Sequence, residues 1–160
     1  MKGITSTKEL YIEFLADIYN AEVLLVPELR LFIEKPISKF LKKVLERHLI
    51  NTRAHMTHLE DLQEDMAADI LDEHCRTMKA MILETKELVD RCVDNELVER
   101  TIVASLRRIT QCKIAVYEML IAMADELSRP KQKQLLEQCL DDETNFDIQL
   151  KPLAIVGTSE

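Results

Sequence analysis

Apolar residues return every three or four positions along most of this chain, the step that places side chains on one face of an α-helix. Ser6 or Thr7 can cap the first such run, in which Leu15, Ile18, Glu22, Leu25, Leu29 and Phe32 form one seam ending near Glu34. Pro27 lies inside the run and predicts a kink or a local bend. Lys35-Pro36 closes it, because the residue before a proline avoids helical geometry. A second helix is expected over about 38–66, with an apolar stripe at Leu41, Leu45, Leu49, Met56, Leu59 and Met66. Beside it runs a stripe that is polar in its middle, at Val44, His48, Asn51, His55 and Leu62. The stretch over about 67–94 holds a shorter helix whose apolar face is Cys75, Met78, Met81 or Ile82, Leu88 and Val89. After the break at Asp94-Asn95, a fourth helix over about 96–127 has the seam Leu106, Thr110, Lys113, Tyr117, Leu120, Ala124 and Leu127. Ser128-Arg129-Pro130 reads as a turn, and a fifth helix over about 131–150 has the seam Leu136, Leu140, Glu143, Asp147 and Leu150. Pro152 and Gly157 mark its frayed end.

Four long helices are thus apolar at the two ends of their seams and polar in the middle: Glu22 on the first, Asn51 and His55 on the second, Thr110 and Lys113 on the fourth, Glu143 and Asp147 on the fifth. A buried ion is costly unless it is paired or bound to metal. Taken alone, Glu22 reads as a helix-edge side chain with a packed stem and a wet head, Lys113 as a snorkelling lysine, and His55 as a surface or satisfied core histidine. Four at matching depth point to one shared polar site, and two-metal carboxylate bundles present their ligands in this way.

Composition narrows the fold to all-α. Two glycines and four prolines in 160 residues are too few for the turns of an all-β chain, and the length suits one domain over 1–160 with a helical core of about 7–154. The net charge of -8 disfavours a nucleic-acid partner, and the absence of tryptophan with only 4% aromatic residues argues against a stacking platform for single strands. The longest fully apolar run, Met119 to Ala124, is far short of a membrane span, and the N-terminal stretch has no apolar core of signal-peptide length, so a cytoplasmic location is expected. Cys75, Cys92, Cys112 and Cys139 form no CxxC pair and read as reduced thiols within helices, not as a zinc site. Glycine occurs only at 3 and 157, which leaves no phosphate-cradling loop. No Ser or Cys has a base and an orienting acid beside it, and Lys42-Lys43 and Arg107-Arg108 read as solvated faces.

The chain resembles the YciF-type family of bacterial ferritin-like proteins from about Thr7 to Ala154. The resemblance rests on LADIYNAEVLL with Asp17, Tyr19, Ala21 and Glu22, on His48-Leu49 and Leu59-Glu60, and on Cys75-x-x-Met78 followed by Ile82 and Glu84. It continues through Ile114-Ala115 and Tyr117 and through LLEQCLDDETNFDIQLKPLA, where Leu140, Asp141, Glu143, Asp147 and Leu150 are in phase. It implies a ferritin-like antiparallel four-helix bundle of helices 1, 2, 4 and 5, with the short third helix in the crossover. It also implies a two-metal centre, a stress-linked setting and pairing through helix faces. The chain departs from the family by carrying Asn51 and Lys113 where carboxylates are typical, and Thr110-Gln111-Cys112 where an acidic or histidine-containing stretch is common.

Those departures set the functional expectation. Asn51 offers only a neutral carbonyl oxygen, and a charged Lys113 has no lone pair to give. Lys113 is expected to place its ammonium among Glu22, Glu143 and Asp147, so that a salt-bridge network replaces the metal centre, leaving no catalytic residue, no cofactor and a role as scaffold or partner-binding module. The alternative is a single Fe, Mn or Zn ion held by Glu22, His55, Glu143 and Asp147, serving an oxidase or a peroxide-detoxifying protein. A homodimer or higher homo-oligomer is expected, with Met78, Met81 and the second face of helix 2 as candidate surfaces.

Overall fold

In the computed structural model, residues 3–68 and 75–155 are described. They form five helices: α1 (Thr7–Ile33), α2 (Lys39–Asp65), α3 (Arg76–Asp90), α4 (Asn95–Glu126) and α5 (Pro130–Ile155). Short polar side chains start three of them. Ser6 accepts a hydrogen bond from the Glu9 amide at 3.2 Å, Ser38 from the Leu41 amide at 3.2 Å, and Asp94 from the Leu97 amide at 2.8 Å. With so little glycine, the helix ends use other residues in the left-handed region. Ala67 (φ 50°) and Ser128 (φ 54°) take the position usually given to glycine. Each is held by a pair of closing hydrogen bonds, from Ala67 to Glu64 and Ala68 to Gln63 after α2, and from Ser128 to Asp125 and Arg129 to Ala124 after α4.

Hydrogen bonds between helix ends fix the topology. Thr7 at the start of α1 donates to Glu126 at the end of α4 at 2.8 Å, and Tyr11 donates to Gln132 at the start of α5 at 2.9 Å. Gln132 in turn bonds Asp65 at the end of α2. At the opposite end, the Ser38 amide and hydroxyl donate to Glu99 at 2.6 and 2.8 Å, joining the starts of α2 and α4. Hence α1 and α5 run one way and α2 and α4 the other. The chain must cross the full length of the bundle between α2 and α4, and α3 makes that crossing while packing on α4 and α1. The fold is a ferritin-like four-helix bundle with a short crossover helix, as the sequence led us to expect.

The seams of α1 and α4 match the sequence reading: every named α1 position is buried, and on α4 only Leu127 is half-buried. Pro27 is exposed, so α1 runs through it with the freed carbonyl of Val23 on the solvent side. Three readings are corrected. On α2 the buried line is Leu41, Leu45, His48, Thr52, His55, Leu59, Leu62 and Met66, alternating four and three, whereas Leu49, Asn51 and Met56 are half-buried. The two stripes read from sequence are one seam that crosses between them, because a 3.6-residue repeat drifts across a strict four-step row. On α3, Thr85 is buried and back-bonds to the Met81 carbonyl at 2.7 Å, while Leu88 is 39% exposed. Finally, α5 continues through exposed Pro152 to Ile155, with Leu150 buried and Leu153 half-buried as anchors. Gly157 and most of the stretch between α2 and α3 lie outside the described residues.

Met78 is 1% exposed and packs in the core, so it offers no surface for self-association. Cys75 and Cys139 are buried and Cys92 and Cys112 half-buried, all as free thiols. No helix among the described residues is long and apolar enough to cross a membrane.

Candidate functional site

Halfway along the bundle, the four seams turn polar together. Glu22 on α1, Thr52 and His55 on α2, Thr110, Lys113 and Tyr117 on α4, and Glu143 on α5 are all 1% exposed or less. Lys113 sits at the centre of this cluster. Its Nζ lies 2.6 Å from Glu143 Oε1 and 2.9 Å from Glu22 Oε2. His55 bridges the same two acids, with Nδ1 3.3 Å from Glu22 Oε1 and 3.5 Å from Glu143 Oε1. Its other nitrogen, Nε2, is 3.0 Å from Asp142 Oδ2, a carboxylate 42% exposed at the edge of the bundle. Tyr117, one helical turn beyond Lys113, donates its hydroxyl to Glu22 Oε1 at 2.7 Å.

These contacts set the charge states. For Glu22 and Glu143, burial opposes ionisation, but the Lys113 ammonium and the His55 ring outweigh it and hold both carboxyls below their ordinary range. Burial likewise opposes charge on Lys113, and the two carboxylates reverse that, raising its pKa. His55 follows the same pattern: against the cost of burial, bonds to Glu143 and Glu22 and their charges push it up to about 10. At neutral pH the centre therefore holds two anions and two cations, and its charge is balanced without help from solvent. The Tyr117 phenol is raised well above its ordinary value, by burial first and then by the Glu22 charge, so it remains a neutral donor.

Two positions picked from the sequence lie outside this centre. Asn51 is half-buried and lines a cleft between α2 and α5; the seam position beside it is Thr52. Asp147 does not meet Lys113. Arg107 takes it instead, with Nε 2.9 Å from Oδ1 and Nη2 3.4 Å from Oδ2. Arg107 is thus not a simple solvated residue, since it reaches along α4 to a mostly buried acid on α5. The sequence reading missed Thr52 and Asp142 as parts of the site. Thr52 was accessible from the His48–Thr52–His55–Leu59 phase. Asp142 lies off the α5 seam, and only the His55 bond brings it in.

His48 is the second buried imidazole, 1% exposed, stacked on Phe146 with ring centroids 3.6 Å apart. Burial lowers its pKa to about 4, so it is neutral where His55 is charged. Two histidines two turns apart on one helix thus hold opposite charge states, and the difference lies in the carboxylates that face His55.

A family model described as "Domain of unknown function (DUF892)" matches residues 6–160 of the chain. Among solved structures, the chain is similar to YcfI of Rhodopseudomonas palustris, a protein of suggested structural role, at 25% identity and a TM-score of 0.89, covering 98% of each chain. It is also similar to the stress protein YciF of E. coli, at 25% identity and a TM-score of 0.89, covering 95% of this chain and 96% of the other. No curated protein matches.

Proposed function

The chain belongs to the DUF892 family, and on that premise we propose that it is a non-catalytic, stress-associated helical protein in which a buried ion network takes the place of a two-metal centre. The observation that carries this reading is Lys113 Nζ lodged between Glu143 and Glu22 at 2.6 and 2.9 Å. Two-metal bundles need several carboxylates, arranged as single Glu residues and Glu-x-x-His pairs. Among the described residues, Glu22, His55 and Glu143 are the three whose ligand atoms come within 4.8 Å of one another. In the positions that would complete a Glu-x-x-His pair, three before His55 stands Thr52, three before Lys113 Thr110, and three after Glu143 Phe146, and none of these is a carboxylate or an imidazole. A donor set this small, with an ammonium already against both acids, does not fit two ions.

The stress association draws on the likeness to YciF and the structural role on the likeness to YcfI. The same reading takes the chain as a single cytoplasmic domain that pairs with itself. Exposed Phe40 and Ile50 on α2 and half-buried Met81 on α3 are among the apolar positions open to such pairing.

The test is elemental analysis of protein purified without chelator, combined with addition of ferrous iron under air. A trace metal content and no growth of ferric absorbance are expected. The clustered Glu22, His55 and Glu143 favour one rival, a single-ion oxidase; about one equivalent of iron, manganese or zinc would establish it in place of this reading.

A further inference from the structure

The bundle is less closely packed between α2 and α5 than within the α1–α2 and α4–α5 pairs, and a cleft of about 410 Å³ opens there. Its walls are two facing stripes, each with the spacing of one helix face. Arg47, His48 and Asn51 come from α2, and Asp142, Asn145 and Gln149 from α5. In a packing seam these positions would be apolar and would interdigitate. Here all six are polar, and only Val44, Phe146 and Ile148 add apolar surface. His48 closes the inner wall with neither ring nitrogen hydrogen-bonded among the described residues.

The charges in the cleft are not equivalent. Asp142 is committed to His55 at 3.0 Å. Arg47 is exposed, and no carboxylate among the described residues lies within ion-pair distance of its guanidinium. One unanswered positive charge therefore faces three carboxamides, each both donor and acceptor. A guanidinium fork matches a carboxylate with two parallel bonds. A doubly charged phosphate would lack a second cation and would meet Asp142 on the opposite wall.

We propose that this cleft binds a small organic monocarboxylate carrying further hydrogen-bond donors, with its carboxylate on Arg47 and its hydroxyl or ammonium groups on Asn51, Asn145, Gln149 and the rim of Asp142. Arg47 and the three carboxamides stand outside the buried ion network, which meets the cleft at Asp142. Hydroxy acids and amino acids share this chemistry, and the probes separate them.

The experiment is titration of the isotope-labelled full chain, followed by amide NMR at low salt, with gluconate, glutamine, sorbitol and inorganic phosphate. Gluconate, glutamine or both are expected to shift the side-chain amides of Asn51, Asn145 and Gln149, with a dissociation constant of about 1 mM or tighter. Whichever binds identifies the class of acid. Arg47→Gln, a change at an exposed side chain, should weaken binding about tenfold or more. Arg53→Gln, at an exposed position of α2 outside the cleft, should leave it unchanged. The proposal is overturned if neither carboxylate produces shifts, if sorbitol binds as tightly, if phosphate binds more tightly, or if Arg47→Gln has no effect while the amide spectrum shows an intact fold.

Discussion

Of the ion pairs that join α4 to α5, two lie in contrasting surroundings. Lys113–Glu143 lies at the bundle centre with exposures of 1% and 0%, and Lys113 and Glu143 each have a second partner there. Arg107–Asp147 lies nearer the start of α4, with exposures of 29% and 13%, and the two share a fork of hydrogen bonds. By residue type the pairs look alike. Solvent separates them: the outer pair can exchange its partner for water if broken, and the inner one cannot. A broken inner pair leaves a buried, uncompensated charge, which costs far more than the intact pair contributes.

The largest effect should therefore come from Lys113→Met. This change keeps the volume of the stem and leaves Glu22 and Glu143 with His55 as their one remaining cation. It should destabilise the fold by about 3–5 kcal/mol in urea or thermal unfolding. Adding Glu22→Gln and Glu143→Gln to the same chain should recover most of that loss, since neutral groups of similar shape need no counter-charge. A loss of under about 1 kcal/mol for the single change would remove the distinction between the two pairs.

A pH titration sharpens the comparison from another side. His55 has a folded pKa of about 10 against an ordinary 6.5, so its contribution is fully present below pH 6.5 and fades as pH rises toward 10. Glu22 and Glu143 are shifted down, so their contribution is present above their ordinary value of 4.5 and is lost on acidification below it. Neutral His48 adds to the acid limb, losing its contribution as pH falls from 6.5 toward 4. Stability should thus decline by a few kcal/mol between pH 6.5 and 10, and His55→Gln should flatten that limb while lowering the whole curve. An alkaline limb that persists unchanged in His55→Gln would assign it to other groups.

The smallest effect belongs to the outer pair. Arg107→Ala should cost about 1 kcal/mol or less, and raising the salt should shrink the difference from wild type. A cost equal to that of Lys113→Met would mean that burial does not set the worth of these pairs.

The bundle was legible in the chain because long seams carry redundant information. On α1, Leu15, Ile18, Leu25, Leu29 and Phe32 all vote for one face, and a single intruding proline cannot change the outcome. The centre was legible only in part. Lys113, Glu22 and Glu143 are in phase with their seams, so their meeting followed from spacing. Asn51 fits the three-and-four spacing of the stripe through His48 and His55, yet the drift of the α2 seam buries Thr52 completely and leaves Asn51 half-buried. Asp147 is also in phase, but Arg107 reaches it first, and which of two cations captures an acid depends on side-chain reach that no seam records. The cleft escaped notice for a related reason: facing polar stripes on α2 and α5 look like two solvated faces until the helices are set side by side.

The central claim is that an ammonium, not a metal, balances the buried acids. A high-resolution crystal structure of protein grown with added manganese and zinc, with anomalous data collected for both, tests it most directly. The account predicts Lys113 Nζ within hydrogen-bond distance of Glu22 and Glu143, His55 between the same acids and Asp142, and no anomalous peak in the bundle centre. An anomalous peak between Glu22 and Glu143, with Lys113 turned away from them, would contradict it.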